Sequence, residues 1–136
     1  MTVNAAPQTV TFAAVPENLR PARSALRRYM ADAGWDGRDL DVLIAVGEVL
    51  QNIIRHGFAG GNARGRITMS LEIRQDALTV EISDTAPPSL PSSWSAHGRE
   101  AHEGGLGLNM IHRIAADARF APTAGGNHAS LRFDPD

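Results

Sequence analysis

The sequence contains no cysteine and no lysine. The first absence removes disulfides, thiolate nucleophiles and thiolate-ligated metals, and leaves the redox compartment open. The second removes a phosphate-loop lysine and any Schiff-base lysine, so a nucleotide would have to be held by other means. Charge of one sign is also missing: thirteen arginines against fifteen acidic residues leave a net charge of −2. A sequence-independent grip on phosphate backbones needs clustered positive charge, so a direct nucleic-acid partner is not expected. No apolar run approaches the ~20 residues of a membrane span. The first eight residues lack the charged-then-apolar order of a signal peptide. The expectation is a cytoplasmic protein without a membrane partner.

What is present suits one soluble domain. The 136 residues fall within the ~100–200 that one core commonly holds, and 43% hydrophobic with 21% charged residues is ordinary globular composition. There is no internal repeat or domain linker. The expected domain spans residues 8–134, after a flexible N-terminus of residues 1–7.

Residues 8–15 alternate Val10, Phe12 and Ala14 with Thr9 and Thr11, the period of a strand with one buried face. Ala22, Leu26, Met30 and Ala33 then fall at helical spacing up to a stop at Gly34. A second helix opens near residues 36–39, places Leu40, Leu43, Ile44, Gly47, Leu50 and Ile54 on a core-facing stripe, and ends at Gly57. Four glycines in residues 57–65 mark a loop. Ile67, Met69, Leu71 and Ile73, a Gln75-Asp76 turn, and Leu78, Val80 and Ile82 spell a hairpin. Residues 85–103 carry three prolines and no periodicity, a length of loop expected to form a lid. Gly104-Gly105 opens a third helix with Leu108, Ile111 and Ile114, and two strands joined at Gly125-Gly126-Asn127 complete the order βααββαββ. That order predicts an α+β two-layer sandwich, with helices on one face of a mixed, mainly antiparallel sheet.

Three features could carry chemistry. Glu48, Asn52 and His56 recur every fourth residue and line one edge of the second helix. An Asn carbonyl is a hard oxygen ligand that Mg²⁺ accepts alongside nucleotide phosphates, and a carboxylate one turn away can take the proton of an attacking hydroxyl. The same spacing also describes a solvated polar stripe. Glu103-Gly104-Gly105-Leu106-Gly107-Leu108 leads straight into a helix whose uncapped N–H groups suit a phosphate, although glycines also serve loops that need left-handed backbone. Asp84 closes a strand at the mouth of the expected lid, where a carboxylate could accept a hydrogen bond from an exocyclic amine, or simply form a turn. His97 and His102 have too little context for a metal reading. Trp35 and Trp94 read as packing groups, Trp94 also as a partner contact.

The order of these features is more specific than its parts. Glu48-x3-Asn52-x3-His56, a hairpin ending Ile82-Ser83-Asp84, a lid and Gly104-Gly105-Leu106-Gly107-Leu108 together resemble the GHKL ATPase superfamily. The short length, the strand-helix start and the closing Gly126-Asn127-His128-Ala129-Ser130-Leu131 are similar to the anti-sigma-factor serine/threonine kinases. The resemblance covers residues 9–133. It implies the Bergerat fold, ATP and Mg²⁺ as cofactors, phosphorylation of a STAS-type antagonist, a sigma factor as further partner, and a homodimer. Carried over by position, it makes Glu48 the general base, Asn52 the Mg²⁺ ligand, Asp84 the adenine contact, and Gly105 and Gly107 phosphate-loop glycines. Around these, His56, Ala86, Gly104, Leu106 and Leu108 complete the expected cofactor site. The chain departs from the superfamily after Asp84. Thr85-Ala86-Pro87-Pro88 stands where Gly usually follows two residues on, so Ala86 adds a methyl expected to face the base, and the prolines stiffen the start of the lid. The alternative is a sigma-factor or partner-binding module in which nucleotide is weak or absent. An edge position for the first strand would offer pairing to a second copy, and Arg20, Arg23 and Arg27 on the first helix would face an acidic partner.

Overall fold

A computed structural model describes residues 2–89 and 107–136. The elements in chain order are β1 (Ala5–Ala14), a 3₁₀ turn (Pro16–Asn18), α1 (Leu19–Ala33), α2 (Asp39–Asn52) running into a π-helical turn (Ile53–Gly57), β2 (Asn62–Arg74), β3 (Ala77–Asp84), α3 (Gly107–Ile114), β4 (Asp117–Thr123) and β5 (Gly126–Phe133). The sheet order is β1-β2-β3-β5-β4. All four pairings among the described residues are antiparallel, so no parallel pair makes this sheet mixed.

Period-2 alternation gives the sheet two unlike faces. Ile67, Met69, Leu71 and Ile73 of β2, Leu78, Val80 and Ile82 of β3, and Leu131 and Phe133 of β5 are buried together with Leu26 and Met30 of α1, Val42, Val46 and Leu50 of α2, and Ile111 of α3. The helices therefore cover one face. The opposite face carries cross-strand polar pairs, Thr9 with Ser70 at 3.0 Å, Thr11 with Thr68 at 3.1 Å, and Ser83 with His128 at 2.9 Å. The β1 strand lies at one edge, as its short polar-apolar pattern allowed.

Two details differ from the expectations. The core stripe of α2 is built from Val42, Leu43, Ala45, Val46, Val49 and Leu50, while Leu40 is 65% exposed and Ile44 39%. The helix starts at Asp39 and sits so that Val42, Val46, Val49 and their neighbours, not these two, are turned into the core. The N-terminus also joins the fold earlier than residue 8. The β2–β3 turn holds Gln75 and Asp76 at φ 51° and 70°, a left-handed pair that usually calls for Asn-Gly. Its polar groups are taken up by the chain start: Val3 N–H donates to Asp76 Oδ1 (2.6 Å), Asp76 N–H to Val3 carbonyl (2.9 Å) and Gln75 N–H to Asn4 Oδ1 (2.9 Å). Trp35 closes over the same turn, donating Nε1–H to Asp76 carbonyl at 2.8 Å, which makes it the packing group expected. No helix among the described residues is long and apolar enough to cross a membrane.

Candidate functional site

A cleft opens where α2 passes the ends of β3 and β5. Val49 of α2 and Ile53, which opens the π turn, line it together with Asp84, Ser89, Phe120, Asn127 and Ala129. It is narrow as it stands, with free space for about one water molecule. Asp84 is the last residue of β3 and pairs across the sheet with Asn127. The approach of the two strands is so close that a Cβ on Gly126 would stand 1.7 Å from the Asp84 carbonyl oxygen, so only glycine fits there.

Asp84 is 8% exposed. Its Oδ1 accepts two hydrogen bonds, from Ala86 N–H at 2.9 Å and from Asn127 Nδ2–H at 3.0 Å. Burial raises its pKa, and the bonds from Asn127 and Ala86 work against that rise. One carboxylate oxygen thus caps the turn, as the turn-forming reading expects, and the other accepts no hydrogen bond among the described residues.

Glu48 and Asn52 stand on the same α2 turn sequence as Val49 and Ile53. Glu48 is half-buried, and its Oε2 is buried without a hydrogen-bond partner among the described residues. Burial pushes its pKa up, opposed by the positive fields of Arg55 and then Arg23. Arg23 reaches across from α1 to lie on Gly47, where a Cβ would meet its guanidinium nitrogens at 2.9 and 3.0 Å. Gly47 thus serves as a seat for an arginine beside Glu48. Asn52 is 6% exposed at the last α-helical position. Beyond it the helix widens into the π turn, a feature often met at functional sites, so the four-residue step that superposes Glu48 and Asn52 does not carry unchanged to half-buried His56.

The remaining expected residues divide. Ala86 lies close to Asp84 in sequence but is 1% exposed and packs into the core, its methyl against Gly57, where an added Cβ would stand 2.9 Å away. It is not among the residues that line this cleft. Leu108 is half-buried against the core in the first turn of α3, which Gly107 opens. Glu103, Gly104, Gly105 and Leu106 lie outside the described residues, as do Trp94, His97 and His102. Among the described residues no cluster of three His, Asp or Glu side chains could hold a metal ion. The donor set near Asn52 suits a cation that brings phosphate and water ligands with it, as Mg²⁺ does with nucleotides. Sequence reasoning missed Asn127, which reads as a turn residue after two glycines, and the Arg23–Gly47 contact, which joins two helices and leaves no local signal.

Residues 12–133 match the family described as histidine kinase-like ATPase domain. The chain is 29% identical over 122 residues to the serine-protein kinase RsbW of Listeria innocua, covering 82% of this chain and 77% of that protein. The same figures hold for RsbW of Listeria monocytogenes. Among solved structures, the RsbU and RsbW domains of Rv1364c from Mycobacterium tuberculosis superpose with a TM-score of 0.71 at 23% identity, over 96% of this chain and 32% of that one. The chain therefore spans about a third of that longer protein. The catalytic domain of histidine kinase ThkA superposes with a TM-score of 0.58 at 13% identity, over 93% and 95% of the two chains. These structural likenesses establish the α+β fold.

Proposed function

Because the chain belongs to the histidine kinase-like ATPase domain family, we propose that it is an ATP-dependent serine/threonine kinase of the anti-sigma-factor type, acting on a STAS-type antagonist. The observation that carries this is the pairing of Glu48, a half-buried carboxylate with an unpartnered oxygen, with buried Asn52 one turn on, beside a cleft that ends in Asp84. The RsbW relatives, named as serine-protein kinases, support the same reading.

In this reading Asp84 receives the exocyclic amine of adenine, and Val49, Ile53 and Ala129 enclose the base. Asn52 offers its carbonyl to Mg²⁺, which when bound neutralises phosphate charge. Glu48 accepts the proton of the attacking Ser or Thr hydroxyl as the new O–P bond forms and the bond from the γ-phosphorus to the β,γ-bridging oxygen breaks, releasing ADP. Burial raises the basicity of Glu48, while Arg55 and Arg23 favour its ionised form. Phosphorylation of the antagonist would decide which partner the kinase holds, the antagonist or a sigma factor, and so regulate transcription in the cytoplasm. The free edge of β1 suits pairing with a second copy in a two-fold dimer, leaving exposed Arg20 and Arg27 to meet an acidic partner.

Titration calorimetry with Mg-ATP tests the site. Wild-type protein should bind, and Asp84→Ala should weaken binding by ~10-fold or more, the worth of a hydrogen bond to a charged group. Absence of nucleotide binding in the wild type would leave a partner-binding module as the function.

A further inference from the structure

Asn127 spends both ends of one amide on the cleft. Its Nδ2 donates to Asp84 Oδ1 at 3.0 Å and lies 3.2 Å from the Pro87 carbonyl and 3.5 Å from that of Ala86, while its Oδ1 accepts the Ser89 N–H at 2.8 Å. The opposite orientation would set its oxygen against a carboxylate and two carbonyls, so the network fixes the amide. The side chain is held in place in turn, because Gly126 allows β5 to approach the end of β3 at backbone distance.

This arrangement does two things. Both protein donors to Asp84, from Ala86 and from Asn127, converge on Oδ1, and no described residue donates to Oδ2. It also ties residues 86–89 to the cleft, so that Ser89 forms part of its wall. That segment is where the chain has Ala86-Pro87-Pro88 in place of the usual glycine-containing pattern.

We propose that Asn127 is a positioning residue for adenine recognition, which orients Asp84 so that Oδ2 is the acceptor presented to the base and fixes residues 86–89 as the wall beside it. The proposal rests on the reading of the cleft as an adenine site. Asn127 acts through Asp84 and touches no reacting atom. Its contribution therefore belongs to the amine of the base and not to the phosphates.

The test compares ATP with purine riboside triphosphate, which lacks the exocyclic amine, by calorimetry in the presence of Mg²⁺. The proteins are wild type, Asn127→Ala and the isosteric Asn127→Asp, which keeps an acceptor for Ser89 but loses the N–H donors. Wild type should prefer ATP. Asn127→Ala should lose ~10-fold in ATP affinity and little in affinity for the analogue, with Asn127→Asp losing at least as much because it sets a second negative charge beside Asp84. Equal losses for both nucleotides in either folded variant would overturn the positioning role. Equal affinity of the wild type for the two nucleotides, or for neither, would instead remove the adenine site on which it rests. Should Asn127→Ala fail to fold, the isosteric variant alone decides.

Discussion

Gly125 in the β4–β5 turn and Gly126 at the start of β5 should respond unequally to alanine. A Cβ at Gly126 would lie 1.7 Å from the Asp84 carbonyl oxygen, 2.8 Å from its carbon and 3.1 Å from Thr85 Cα. All three are backbone atoms, so no rotamer change relieves the clash, and β5 must move away from the end of β3. Overpacking of this kind costs about 1–3 kcal/mol, and loss of the Asn127 hydrogen bond to Asp84 adds about 1–2 kcal/mol. Gly126→Ala should therefore destabilise by roughly 2–5 kcal/mol, lowering Tm by roughly 6–20 °C for a domain of this size. Gly125, by contrast, has nothing within 4 Å of its Cβ position and no left-handed φ. Gly125→Ala should stay within about 0.5 kcal/mol of wild type. Thermal melts by circular dichroism of the three proteins decide between them. A Gly126→Ala variant as stable as Gly125→Ala would refute the argument that the two strands meet too closely for any side chain.

Other substitutions probe the site and the assembly. Asn52→Ala should weaken Mg-ATP far more than Mg²⁺-free nucleotide, and equal losses in calorimetry would take Asn52 out of the metal's shell. Since the Ala86 methyl packs on Gly57, Ala86→Gly should cost about 1 kcal/mol in denaturant unfolding and leave ATP affinity unchanged; tighter ATP binding would mean that the methyl crowds the base after all. Phe12 and Val10 pack against the core, so the β1 edge is better tested with Thr9→Lys and Thr11→Lys, exposed positions where charge opposes strand pairing. Light scattering should show a wild-type dimer becoming monomer, and a wild type already monomeric at tens of micromolar would dismiss the dimer.

Most of the fold was legible because its elements are locally consistent. Alternation in β2 and β3 and the helical spacing closed by Gly34 each specify themselves within a few residues. What escaped depends on contacts between distant segments. The exposure of Leu40 and Ile44 follows from how α2 sits on the sheet, and two buried stripes fit an apolar helix that is hydrophobic on more than one side. The first residues join the fold through distant partners, the left-handed turn about 70 residues on and the Tyr29 hydroxyl, which donates to the Ala5 and Ala6 carbonyls. The same division holds at the site. Glu48 and Asn52 share a helix edge that spacing alone displays, whereas the seat of Arg23 on Gly47, the inward turn of Ala86 and the amide bridge of Asn127 are made across elements.

In the proposed reaction Glu48 takes the proton in phosphoryl transfer to a protein hydroxyl. Wild-type protein and Glu48→Gln, each incubated with γ-labelled ATP, Mg²⁺ and a STAS domain that the wild type binds, test it directly through the rate at which label appears on a Ser or Thr of that domain. The wild type should transfer label and the variant should fall by ~10²-fold or more, with nucleotide and partner binding retained. Undiminished transfer by Glu48→Gln, or none by a wild type that binds both ATP and the STAS domain, would contradict it.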